Sequence, residues 1–294
     1  MKVLKKLLVL ALDIAFYGCL AILAWVFLQV FVFTSFKVPS DSMEPTLVPG
    51  DNILVDKCST GARLFHLLKA ANKEEFTIHR IPGWRDFRRN DVLVFNFPYP
   101  GRWDSIAFDL MLYYVKRCVA VPGDTLEIRD AHFRIRGCQE TPGCIQAQNE
   151  LQRILKDGRA EDFGIMTRAY PNREEVPWTI GEFGPLYIPK QGSTIGMDSL
   201  NVMLYRNAIE WEQGKKLRMQ GDTVWLGDSI ISRYCFRKNY YFVAGDKAVN
   251  SRDSRYFGLL PEEYIVGRAV RVWKSVDPVS GEWRWDRWMK KIEQ

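Results

Sequence analysis

Two windows of this 294-residue chain carry residue types that could do chemistry together. "VPSDSMEPTL" (residues 38–47) places Ser40 and Ser42 one residue apart, and "MLYYVKRCVAVPGD" (residues 111–124) embeds Lys116 in an apolar run. A serine hydroxyl becomes a nucleophile only beside a base. The usual base is histidine, but His66, His79 and His132 sit in unremarkable polar contexts, and neither G-x-S-x-G nor H-E-x-x-H occurs. Lysine is the next option. Its pKa, about 10.4 in water, must then fall toward about 7–8, which disfavours the charge by roughly 4 kcal/mol. Desolvation in an apolar setting can supply that shift. Strand alternation puts Tyr114 and Cys118 on the Lys116 face, with Val115, Arg117 and Val119 on the other. Taken singly, each window also fits a plainer reading, a linker turn for the serines and surface charge for the Lys-Arg pair.

The serines follow an apolar N-terminal run. Three lysines in "MKVLKK" precede it, and the 20 residues from Ile14 to Phe33 carry no formal charge. At ~1.5 Å per residue, that length spans a hydrocarbon core of ~30 Å. Asp13 falls at headgroup level, and the lysines predict a cytoplasmic N-terminus with everything after Ser35 outside. A cleaved signal peptide would have a shorter apolar core and a small-x-small site; this run ends in "VFVFTSF". The expected element is a retained signal anchor over residues 1–34, with the lipid bilayer as a partner. Ser42 lies nine residues past Phe33, within ~30 Å of the membrane surface even if fully extended.

The formal net charge is +6, with basic residues spread along the chain. The densest cluster, "RIPGWRDFRR" (80–89), reads as a solvated loop or a surface facing lipid headgroups; no nucleic-acid partner is expected. Of six cysteines, Cys138 and Cys144 bracket a Pro-Gly turn, so outside the cytoplasm a disulfide between them is expected. No histidine has ligand spacing to a cysteine pair, so neither a metal nor another cofactor is expected.

Short alternating segments recur between turn signals: "NILVDK", "DVLVFNF", "YYVKRCVAV", "DTLEIRD", "PLYIPK", "DTVWLG", "NYYFVAGD" and "EYIVGRAVRVW". They predict a mainly β, antiparallel-sheet domain. Helices are expected within "ARLFHLLKAANKEEF" (62–76) and "LYRNAIEWEQGKKLRM" (204–219). Weak periodicity marks 138–219 as an inserted cap on a core formed by 35–137 and 220–294. The tail "GEWRWDRWMKKIEQ" fits either a membrane interface or a terminal strand that packs its tryptophans.

Taken in order, "VPSDSMEPTL", "GDNILVDK" (50–57), "YYVKRCVAVPGD" (113–124) and "GDKAVNSRDSRYFG" (245–258) resemble the bacterial type I signal peptidases, membrane-anchored Ser/Lys leader peptidases. "YIVGRA" (264–269) extends the likeness. The resemblance implies a serine endopeptidase at the bacterial inner membrane that removes signal peptides from exported preproteins. Ser42 would be the nucleophile and Lys116 the general base. Ser40 and the Ser42 N–H would form the oxyanion hole, and Ser251 would orient the Lys116 ammonium. Asp253 and Arg255 would pair to hold their loop, with Gly245 and Asp246 shaping its turn. Substrates would carry Ala-x-Ala-like sites, bound as an extended strand against Met43, Pro45, Tyr114 and Val115. The chain departs from the pattern at Lys247 and Ala248, where the family usually has Asn-Arg. A catalytically idle tethered β-domain and a dedicated-client peptidase are the rival readings.

Overall fold

A computed structural model describes residues 2–293. Helix α1 (Lys2–Phe27) passes into one π-helical turn, Leu28–Val32. Residues Lys5–Val32 form a stretch long and apolar enough to cross a membrane, with none of its apolar window buried in the protein. That stretch runs straight into the domain. Lys57 donates from its backbone N–H to Val32 O (2.9 Å) and from Nζ to Gln29 O (2.6 Å).

The main sheet is built from β1 (Phe33–Lys37), β2 (Asp51–Asp56), β3 (Val92–Asn96), β4 (Tyr113–Ala120), β5 (Tyr240–Ala244), β6 (Leu260–Pro261), β7 (Ile265–Ser275) and β8 (Lys290–Lys291). Its order is β1-β2-β7-β3-β4-β5-β6, with β8 on β7, and every pairing is antiparallel. The fold is mainly β. Period-two alternation explains why β3 is buried throughout. Val92 and Val94 face a cluster containing Met43 and Leu47, whereas Leu93 and Phe95 face an aromatic cluster containing Phe97, Tyr241 and Phe257.

The chain leaves the main sheet after Ala120 and rejoins it at Tyr240. This excursion is longer than 138–219, because 125–129 already pairs with 132–135 on one side and with 183–187 on the other, and strands through 235 stay outside the main sheet. Both flanks alternate as cleanly as core strands, so periodicity could not show which sheet they join.

Three expectations need correction. The 62–76 helix shrinks to α2 (Leu67–Ala71), because Arg63 is drawn away to the Glu263 and Tyr264 carbonyls and to Asn96 Oδ1. The excursion contains an unexpected helix α3 (Ile145–Lys156), while α4 spans Ser199–Gln213, capped by the Asp198 carboxylate and ended by left-handed Gly214. Cys138 and Cys144 are free thiols; their sulfurs face the separate acceptors Glu140 O and Gln146 Oε1.

The tail is held by Arg287, by buried Ile292 and by β8 pairing on β7, not by its tryptophans. Arg287 forms a buried bidentate pair with Asp51 (2.9 and 2.5 Å), while Trp283, Trp285 and Trp288 stay exposed. In the 80–89 cluster, Arg80 donates to main-chain carbonyls, Arg85 pairs with Asp91 and Arg89 with Asp124. Those arginines serve the fold.

Candidate active site

The serine window is a turn set between two buried anchors. Met43 and Leu47, one helical turn apart, sink into the core, and the Leu47 N–H donates to Met43 O. Ser42, just before the first anchor, stays half-buried at the surface, with Ser40 exposed. Neither the Ser40 nor the Ser42 hydroxyl is covered, and their oxygens lie 3.4 Å apart. Pro45 is exposed on the same turn.

Strand β4 brings the lysine. Its Nζ lies 2.6 Å from Ser42 Oγ, and the side chain is almost entirely buried. Desolvation lowers its pKa to about 8, against the opposing pull of Asp253 and Asp246. The Tyr114 ring contributes a face 5.6 Å from the amine. Next door, Arg117 donates bidentately to Asp246 (2.7 Å each) and reaches Thr46 Oγ1 (3.1 Å). The Lys-Arg pair is therefore not surface charge, and Arg117, given no role by the sequence, ties β4 to both neighbouring segments.

The 245–258 loop completes the wall. Asp253 caps the short helix α5 (Ser254–Phe257), accepts from the Gly245 N–H (2.9 Å) and pairs bidentately with Arg255. Both members of that pair are fully buried. Burial alone would raise the Asp253 pKa, but the Arg255 guanidinium outweighs it and holds the carboxyl below its ordinary range. Gly245 has to lack a side chain. A Cβ there would come within 2.5 Å of Ser42 O and strike the Ser251 hydroxyl. Ser251 Oγ is buried and makes no hydrogen bond to Lys116.

A protein-family model described as signal peptidase, peptidase S26, matches residues 11–273. The chain belongs to this family.

Among signal peptidases I, the Buchnera aphidicola (Acyrthosiphon pisum) protein is 28% identical over 266 residues, covering 89% of this chain and 74% of that protein. The Pseudomonas fluorescens protein is 29% identical over 261 residues, covering 84% and 67%. A solved signal peptidase I from Enterococcus faecalis is 18% identical and is matched over 63% of this chain and 97% of that one, with a TM-score of 0.29. As a member of the signal peptidase family, the chain is a peptidase, and exported preproteins are its substrate class.

The two positions where this signal peptidase sequence departs from the usual Asn-Arg have their own geometry. The Lys247 N–H donates to Ser42 O (3.1 Å), and its Nζ bridges Asp41 (2.5 Å) and Glu44 (2.9 Å) on either side of Ser42. Ala248 O accepts from Arg255. The histidines stand elsewhere. His66 caps α2, His79 lies in a two-residue strand, and His132 bonds Asp130 O and Asn149. Among the described residues no group of three or more His, Cys, Asp or Glu could hold a metal.

Proposed function

We propose that the chain is a membrane-anchored serine endopeptidase that removes signal peptides by a Ser42/Lys116 dyad. The observation that carries this is the 2.6 Å approach of a buried, desolvated lysine amine to an accessible serine hydroxyl. Neutral Lys116 Nζ accepts the Ser42 proton as Oγ attacks the scissile carbonyl carbon. The developing oxyanion meets the Ser42 N–H, which donates to no protein acceptor among the described residues, and the Ser40 hydroxyl. Such preorganised donors commonly stabilise the transition state by ~3–4 kcal/mol. The C–N bond then breaks, and the leaving amine takes the proton from the Lys116 ammonium. Water, deprotonated by the regenerated amine, hydrolyses the acyl-enzyme.

Strand edges supply the place for substrate. Within β4 only Arg117–Ala120 pair with β5, so among the described residues Tyr113–Lys116 have no strand opposite their pairing with β3. An extended peptide can add there through main-chain hydrogen bonds, with Tyr114 and Val115 at its side and buried Met43 forming the floor below Ser42. Phe36 of β1 packs on Tyr113 (4.8 Å between rings), closing the groove on the anchor side. The Asp253–Arg255 pair acts by holding Gly245 against the Ser42 turn. The Lys5–Val32 stretch is the anchor, its lysine end cytoplasmic and the catalytic domain outside.

The test is cleavage of a preprotein in detergent, with products read by mass spectrometry. Cleavage after the second alanine of an Ala-x-Ala site is expected, and bulky residues at both alanine positions should stop it. Cleavage that ignores them would refute the substrate reading. The pH profile is a separate check. Attack needs the neutral amine, so kcat/KM should rise with pH through a midpoint near the Lys116 value of about 8 and level off above it. A profile falling through that range would exclude Lys116 as base.

A further inference from the structure

A cleft of about 1110 Å³ lies between α4, the 166–175 segment, Trp103 and Tyr256 of α5. Five basic side chains line it against three acidic ones. Lys216 is paired with Glu210 and Asp104 with Arg102. Among the described residues, Arg168, Arg173 and Arg206 have no side-chain partner in any hydrogen bond or ion pair, and Arg206 Nε is buried as well. Unpaired guanidinium groups converging on one concavity call for an anionic ligand, since each presents donors shaped for carboxylate or phosphate.

The cleft adjoins the proposed catalytic wall. Tyr256 lies in the helix capped by Asp253, and the Arg252 guanidinium, next to Ser251, sits 5.1 Å over the Trp103 ring. Trp103 packs on Phe97, Phe97 stacks on Tyr114, and Tyr114 faces Lys116. The straight line from Trp103 to Ser42 is thus no longer than about 20 Å, which about six residues of extended chain can span. The signal segment of a substrate would lie on the anchor side, beside Phe36 and Tyr113. The free chain beyond the cut bond is the part available to reach the cleft.

We propose that this cleft receives the early mature segment of the preprotein and selects for acidic residues roughly five to nine positions past the cleaved bond. This rests on the peptidase reading above. The occupant is a peptide carboxylate rather than a lipid phosphate because of the cleft's continuity with the catalytic wall.

The test uses the full-length protein in detergent and preproteins that share one signal peptide and differ only in that segment, which carries Asp/Glu, Ser/Gly or Lys. The acidic substrate is expected to show a KM about fivefold below the basic one with kcat unchanged, an effect that fades at high salt. Arg168→Ala/Arg173→Ala/Arg206→Ala should abolish the difference while a substrate ending two residues past the bond is cleaved as before. The corresponding triple change to Glu should invert the preference, an outcome that damaged folding cannot produce. Equal KM values for the wild type overturn the proposal. So does stimulation by phosphatidylglycerol vesicles that depends on these arginines while segment charge has no effect, which would assign the cleft to lipid. A fluorescent acidic peptide lacking any signal segment separates the two readings: it should bind the wild type and not the Glu variant even if the chain cleaves nothing, and its failure to bind counts against the cleft alone.

Discussion

Ser42→Ala and Lys116→Met are each expected to reduce preprotein cleavage by at least about 10³-fold, with neither loss exceeded much by the double variant. Nucleophile and base act as one unit, so removing either ends the same proton transfer. Both changes leave the surroundings largely intact. Ser42 is half-buried, its hydroxyl bonds only Lys116 and Ser40, and methionine retains the length and apolar stem of Lys116. Circular dichroism and the denaturation midpoint should therefore stay near wild type. The matched control is simultaneous replacement of His66, His79 and His132 by alanine, which should keep most of the activity because none of them approaches Ser42. Full activity in Lys116→Met would sink the mechanism; loss of activity in the histidine variant at wild-type stability would point to a different base.

Asp253→Ala should be the most damaging single change to stability. It removes the carboxylate from a fully buried bidentate pair, leaving the Arg255 charge to Ala248 O alone, and it frees the Gly245 N–H. Orphaning one member of such a pair typically costs about 3–5 kcal/mol. Urea denaturation in detergent, followed by tryptophan fluorescence, should show the loss as a lowered midpoint. Adding Arg255→Met should recover part of it, because the unpaired charge goes too; no recovery would show that the cost lies in the lost turn rather than in the orphaned guanidinium. The sign with pH follows from the depressed carboxyl. The pair's contribution is present above the ordinary aspartate range and is lost as pH falls through the lowered folded value. Asp253→Ala should thus lose its disadvantage relative to wild type only in strong acid.

Much of the site could be read from residue order, because its chemistry is local in type. A serine before Met-x-Pro and a lysine in a Val/Tyr-rich strand stand in the right sequence behind an apolar run, and the strand windows coincide closely with β2 to β5 and β7. Supporting contacts were less legible. In the sequence Arg117 reads as half of a surface Lys-Arg pair, whereas Asp246 stands against it in the fold; Lys247 reads as a lost contact, whereas its amine bridges Asp41 and Glu44. Each of these depends on a partner 70 or more residues away, and no local pattern encodes it.

The sequence by itself determined the apolar N-terminal stretch, the β character of the domain and the choice of Ser42 and Lys116 as the candidate dyad, because apolar length, two-residue alternation and side-chain chemistry are properties of short windows. Only the tertiary structure decided which strands share a sheet, where the excursion between β4 and β5 begins, that Cys138 and Cys144 stay apart, and that three unpaired arginines open on one cleft. The lysine pKa belongs to the second group. A strand can place an amine on a face, but it takes the closed packing of β4, the serine turn and the 245–258 loop to strip away the water that would keep it charged.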